Sequence, residues 1–128
     1  TYLNIVDEGT FVSGKYLVTD NLKVTDFETI ATAKEGYTTE VLKSNEFYGT
    51  KSTVNIYNGT ELVTAYTLIV KGDVANDDGI CDTIDCYVIE KLTRGNSSLE
   101  EIYVFAADMD NDGKITIADY NIASSLVW

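Results

Sequence analysis

At 128 residues, 45% of them hydrophobic, the chain is long enough for one ordinary domain or two small ones with a buried core. Its formal charge of −12 is uneven: residues 1–71 hold nine acids and six bases, and residues 72–128 hold twelve acids and three bases. So acidic and base-poor a second part argues against nucleic-acid binding, and no apolar run reaches the length of a membrane span.

The first 70 residues are rich in Thr, Val, Ile and Tyr. Tyr2–Val6, Thr10–Val18 and Tyr37–Lys43 read as strands by their β-branched and aromatic content. One helix is expected over Asp26–Lys34, with Thr25 as N-cap and Gly36 just past its end. Asn58-Gly59, between Ser52–Tyr57 and Thr60–Val70, is the strongest hairpin signal. These elements predict a small β-rich domain with one helix over residues 1–71, β-grasp-like or a small sandwich. Its many tyrosines are explained more cheaply by core and edge packing than by a carbohydrate-binding face.

Residues 72–128 change character. Asp108-Met-Asp110-Asn-Asp112-Gly113-Lys114-Ile-Thr116-Ile-Ala-Asp119 places side-chain oxygens at calcium-loop positions 1, 3, 5 and 12, a hydroxyl at 9 and the Lys114 carbonyl at 7. Gly113 takes the position where the turn needs φ > 0. Asp73–Asp85 has one residue more, and anchoring it on Gly79 places the extra residue between Asp73 and Asn76. The ligands then become Asp73, Asn76, Asp78, the Ile80 carbonyl, Asp82 and Asp85, and Asp77 is a spare rim charge. A single Asp/Gly-rich loop is often only a polar turn; two with the same ligand order point to a pair of Ca²⁺ ions. Helices are expected at Thr83–Thr93, closed by Gly95, at Leu99–Ala106 after Ser98, and at Ile117–Val127. Asp82-x-x-Asp85 and Thr116-x-x-Asp119 resemble capping boxes, so each loop also starts its exiting helix.

Histidine is absent, which removes the usual general base. Cys81 and Cys86 match the apolar positions Ile115 and Tyr120 of the other repeat and read as buried thiols. A disulfide outside the cell stays open as an alternative, and a zinc site lacks a third soft ligand. Thr1 opens straight into strand-like sequence, as in a fragment excised from a longer chain.

Loop one is entered from strand-like Thr67–Val70 instead of a helix. Together with the duplicated loop-helix units and Asp at position 12, this makes residues 72–128 resemble a dockerin. The leader Val70-Lys71-Gly72-Asp73-Val74 and the β-rich segment before it are similar to an X-module. The resemblance implies an α+β chain: an N-terminal small β-rich domain with one helix, then a C-terminal all-α dockerin of two calcium loop-helix repeats. It implies a non-catalytic, calcium-dependent module that docks on a cohesin domain of a scaffoldin or cell-surface anchoring protein. The setting implied is an extracellular cellulosome-type assembly for polysaccharide degradation in an anaerobic bacterium, with a monomer when free. Cohesin contacts carried over from the family fall on Thr83, Ile84, Glu90 and Lys91 of the first repeat and Ile117, Ala118, Ser124 and Ser125 of the second. The competing reading is a calcium-stabilised segment of a surface or adhesin protein with no cohesin partner. An enzyme using paired carboxylates is weaker still, because the acids outside the loops are scattered and no activated nucleophile is present. Only Lys71-Gly72 separate a strand ending at Val70 from Asp73, so the two parts are expected to abut, with Val127 and Trp128 offering apolar surface to cover.

Overall fold

The computed structural model describes residues 2–22, 24–42, 47–75, 77, 79–95 and 101–127. Among these residues, seven strands fall in the first 70 positions: β1 (Leu3–Ile5), β2 (Thr10–Ser13), β3 (Tyr16–Thr19), β4 (Ala31–Ala33), β5 (Thr38–Leu42), β6 (Thr53–Asn58) and β7 (Glu61–Val70). Three short helices follow among the described residues, α1 (Thr83–Thr93), α2 (Glu101–Ala107) and α3 (Ile117–Ser125). β1 and β4 form an antiparallel pair, and the other strands form a five-stranded sheet in the order β2-β3-β7-β6-β5. Its central pair, β3 with β7, is parallel, while the remaining neighbours are antiparallel.

Side chains alternate across a strand, and on β3 and β7 both faces are apolar. Leu17, Leu68 and Val70 point into one core with Leu3, Phe27, Ile30, Ala31, Val54 and Ile56. Val18 and Ile69 point the other way, into a second core with Val74, Cys81, Cys86, Ile89, Ile102, Ala106, Ala107 and Ala123. The run Leu68-Ile69-Val70 is wholly buried, as expected of a strand covered on both sides. The sheet is thus the wall on which the helices lie.

That arrangement corrects the expected fold class. The C-terminal part is not an all-α fold closed on its own core: the described helices, of eleven, seven and nine residues, complete their core with Val18 and Ile69 of the sheet. The helix expected over Asp26–Lys34 is absent as well. A single 3-10 turn, Phe27–Thr29, is held by the Asp26 carboxylate accepting from the Glu28 amide at 3.1 Å and by the Thr29 hydroxyl donating to the Asp26 carbonyl at 2.7 Å. The chain then extends, and Ala31–Ala33 pair with Leu3–Ile5 as β4. Asp and Thr bonding their own backbone compete with a helix, and burial of Ile30 and Ala31 with the pairing of Ala31–Ala33 decides the matter.

Three smaller differences are local. The single strand expected over Thr10–Val18 is a hairpin, β2 to β3, that turns at Gly14-Lys15. Asn58 pairs with Glu61, so the two-residue loop of the β6–β7 hairpin is Gly59-Thr60, one step on from the expected Asn58-Gly59. Thr83–Thr93 is helical over the expected span, whereas the last helix stops at Ser125. Lys43, Ser98, Leu99 and Trp128 lie outside the described residues.

Candidate metal centre and helix face

In the second loop the carboxylate oxygens of Asp108, Asp110, Asp112 and Asp119 lie within 4.8 Å of one another. Local backbone chemistry brings them there. Asp119, in the first turn of α3 and fully buried, accepts from Met109 N at 2.8 Å, Asp110 N at 3.3 Å and Thr116 N at 2.7 Å. Asp108 accepts from Asp112 N at 3.2 Å and Gly113 N at 3.0 Å, and Asp112 accepts from Lys114 N at 2.9 Å. Asn111 and Gly113 both take positive φ, +58° and +83°, which curls the loop about its centre. Loss of hydration among the carboxylates, then the hydrogen bond shared with Asp112, push Asp110 up to about 6, while the Lys114 amide holds Asp112 low. Four carboxylates crowded around one point repel each other, and hard oxygen donors in this number suit Ca²⁺. The residues present fit the ion.

The first loop repeats this wiring. Asp85 is fully buried and accepts from Val74 N at 2.9 Å, Ala75 N at 2.8 Å and Asp82 N at 2.9 Å, the counterparts of Met109, Asp110 and Thr116. Burial pushes its carboxyl up to about 8, and a bound cation reverses that tendency. Asp73 accepts from Gly79 N at 2.9 Å, as Asp108 does from Gly113 N. Asp77 and Gly79 take φ of +50° and +75°, the places of Asn111 and Gly113. This backbone match puts the additional residue between Asp73 and Asp77. Asp82 caps α1, accepting from Ile84 N at 3.1 Å and Asp85 N at 3.2 Å. Asn76 and Asp78 lie outside the described residues. Ile80 and Thr116 are half-buried and Lys114 is exposed, each within its own loop.

Several contacts around the loops have no signal in the local sequence. Thr50, from the connection before β6, donates its amide to Asp73 Oδ2 at 2.9 Å and its hydroxyl to the Asp73 carbonyl at 2.7 Å. Gly49 is pressed against loop one, where a Cβ would stand 2.3 Å from the Asp77 carbonyl oxygen. Asp77 is not merely a rim charge, because the Tyr103 hydroxyl donates to both its oxygens at 2.9 and 3.0 Å. The Lys71 ammonium is buried and donates to the carbonyls of Phe105 and Asp108 at the end of α2. Its desolvation lowers the lysine pKa, which Asp108, Asp119 and Asp110 partly restore.

On the outer face α1 packs against α3. Of the eight positions considered for partner contact, Thr83, Ile84, Lys91, Ile117, Ala118, Ser124 and Ser125 are exposed, and Glu90 is half-buried and ion-paired with Arg94. Ile84 and Ile117 are 51% and 60% exposed, which removes them from the core. Thr83, Glu90 and Ser124 line one groove of about 310 Å³ between the helices, together with Cys86, Tyr87, Tyr120 and Val127. Tyr87, which carries no signal in the loop-helix pattern, is 60% exposed, and Lys91 Nζ lies 5.1 Å from its ring centroid.

Residues 71–124 match the family model of the dockerin type I domain. Dockerins are non-catalytic interaction modules that bind calcium and dock on a protein partner, and the match supports a dockerin in this segment. No curated protein and no solved structure matches the chain.

Proposed function

We propose that residues 72–128 are a dockerin that binds two Ca²⁺ ions and docks on a cohesin domain, and that residues 1–71 are an X-module-like domain bracing it. The observation that carries this reading is the duplicated wiring of the loops, in which Asp85 and Asp119 each gather three corresponding amides, Asp119 beside the carboxylate cluster of the second loop. Asp73, Asn76, Asp78, Asp82, Asp85 and the Ile80 carbonyl would hold one ion. Asp108, Asp110, Asp112, Asp119, Thr116 and the Lys114 carbonyl would hold the other. Calcium supplies charge neutralisation at each loop, without which carboxylate repulsion opposes the folded loop-helix unit.

The partner face is the pair α1 and α3, with Thr83, Ile84, Glu90 and Lys91 from the first repeat and Ile117, Ala118, Ser124 and Ser125 from the second. The exposed Ile84 and Ile117 support this assignment, since an apolar anchor left in water at a helix start suits burial in an interface. The bracing role is supported by Thr50, Gly49 and Lys71, which tie the first part of the chain to both loops. The setting is an extracellular cellulosome-type assembly.

Calorimetric titration of the full chain with Ca²⁺, followed by pull-down against a panel of cohesins with and without chelator, tests the reading. Two bound ions and chelator-sensitive capture of at least one cohesin are expected. Calcium binding with no cohesin captured would leave a calcium-stabilised structural segment instead.

A further inference from the structure

Gly79 and Gly113 hold the same place in their loops, with φ of +75° and +83°, yet they stand in different surroundings. A Cβ on Gly79 would lie 2.8 Å from the Tyr48 carbonyl oxygen and 2.9 Å from Phe47 Cβ, whereas one on Gly113 would meet nothing within 4 Å. The other turn residues differ in the same way. Asp77 is half-buried and takes the Tyr103 hydroxyl on both carboxylate oxygens, and Lys51 Nζ lies 4.8 Å from the Tyr103 ring centroid. Its counterpart Asn111 is exposed, as are Asp112, Gly113 and Lys114. Residues 47–51 and α2 thus wall in the turn of loop one, while the turn of loop two stands in water.

We propose that the two calcium sites are unequal and that Tyr103 is the positioning residue that makes them so. Tied by Tyr103 to α2, the turn of loop one keeps its binding shape without metal and releases its ion slowly. Release there requires the turn to open, and opening breaks the bond between Asp77 and Tyr103. Tyr103 touches no ion; it acts through Asp77, whose carboxylate is taken up by the hydroxyl. In loop two the amides of Asp112, Gly113 and Lys114 donate to Asp108, Asp110 and Asp112 through exposed bonds. Residues 111–114 therefore open when the ion leaves and exchange it fast, so that loop two sets how the start of α3 responds to free calcium. The release rates rest on the calcium reading proposed above; the difference in shape without metal does not.

The test mixes the calcium-loaded full chain with an excess of a fluorescent chelator and follows the release of the ions. Two phases are expected, and Asp112→Ala should leave only the slow one. Tyr103→Phe should speed the slow phase on the order of tenfold, the factor that one hydrogen bond to a charged group allows, and leave the fast phase unchanged. Amide exchange in chelator reads the shape itself: the Gly79 amide, donated to Asp73, should stay protected, while the Gly113 amide exchanges freely. That comparison uses the unmutated chain and holds however the variants fold. A single release phase for two ions, or loss of the slow phase in Asp112→Ala, overturns the proposal. So does equal acceleration of both phases in Tyr103→Phe, the mark of a general loss of stability. Absence of any bound ion removes the calcium reading and the release rates with it; the exchange comparison then still decides the difference in shape, which equal exchange at the two glycines overturns.

Discussion

The buried ammonium of Lys71 donates to the backbone carbonyl of Asp108, 37 residues away. One residue past β7, and two before the first acidic loop begins, the chain thereby holds the start of the second. A lysine this deep is costly unless its donors are used; here Phe105 and Asp108 supply acceptors at the C-terminal end of α2, where the helix dipole also favours a cation.

Lys71→Met keeps the length of the side chain and removes these bonds. Two half-buried carbonyls then lose a charged donor, at a cost of about 1.5–3 kcal/mol, partly offset because no charge needs desolvating. The expected outcome is a lower melting temperature together with a selective weakening of the second calcium site. Isotherms showing both sites unchanged would mean that the lysine is only a passenger.

Thr50→Val tests the tie to the first loop in the same way. The hydroxyl bond to the Asp73 carbonyl and the hydroxyl contacts with Val70 are lost, while shape and the amide bond to Asp73 are kept. A loss of about 1–3 kcal/mol is expected for buried groups left unmatched, with the calcium affinity of loop one falling more than that of loop two. Urea unfolding at saturating and at chelated calcium separates the two effects. Equal affinities at both loops would remove the bracing role from this contact.

Asp112→Ala and Asp119→Ala should differ in a diagnostic way. Asp112 is exposed and its bond to the Lys114 amide spans a single turn, so in chelator its loss should leave stability nearly unchanged, whereas with calcium it should abolish binding at loop two. Stabilisation by a ligand follows RT ln(1 + [L]/Kd), about 2.7 kcal/mol at a hundredfold excess, and that increment should vanish. Asp119→Ala orphans three amides whether or not metal is present. It should therefore lower the melting temperature in chelator as well. Identical behaviour of the two variants in chelator would show that Asp119 has no structural role apart from metal.

One binding orientation is expected to dominate on a cohesin. A two-fold exchange of the repeats replaces Thr83-Ile84 by Ile117-Ala118, and Glu90-Lys91 by Ser124-Ser125, swapping a charged pair for two hydroxyls. Alanine replacement of the four first-repeat positions, and separately of the four second-repeat positions, should lower affinity unequally. Full affinity in both quadruple variants would point to two interchangeable modes.

What the sequence determined by itself is the part governed by neighbours along the chain. The span of α1 follows from Asp82 and Asp85 at its start and Gly95 after its end, all within reach of the backbone they satisfy. The gathering of Asp108, Asp110, Asp112 and Asp119 is likewise local, because spacing and one glycine turn suffice to aim them together. The β6–β7 hairpin is legible to within one residue for the same reason. Tertiary structure alone decided the rest. Ala31–Ala33 become a strand because Leu3–Ile5 are there to pair with them, and local propensity carries no trace of a partner so distant in sequence. Nor does any local pattern place β3 parallel to β7 at the sheet centre. Val18 and Ile69 turn what reads as a separate helical unit into a layer on the sheet, since helices this short cannot bury enough apolar surface among themselves. Thr50 and Lys71 read as unremarkable residues until the folded chain brings a loop carbonyl within bonding distance of each.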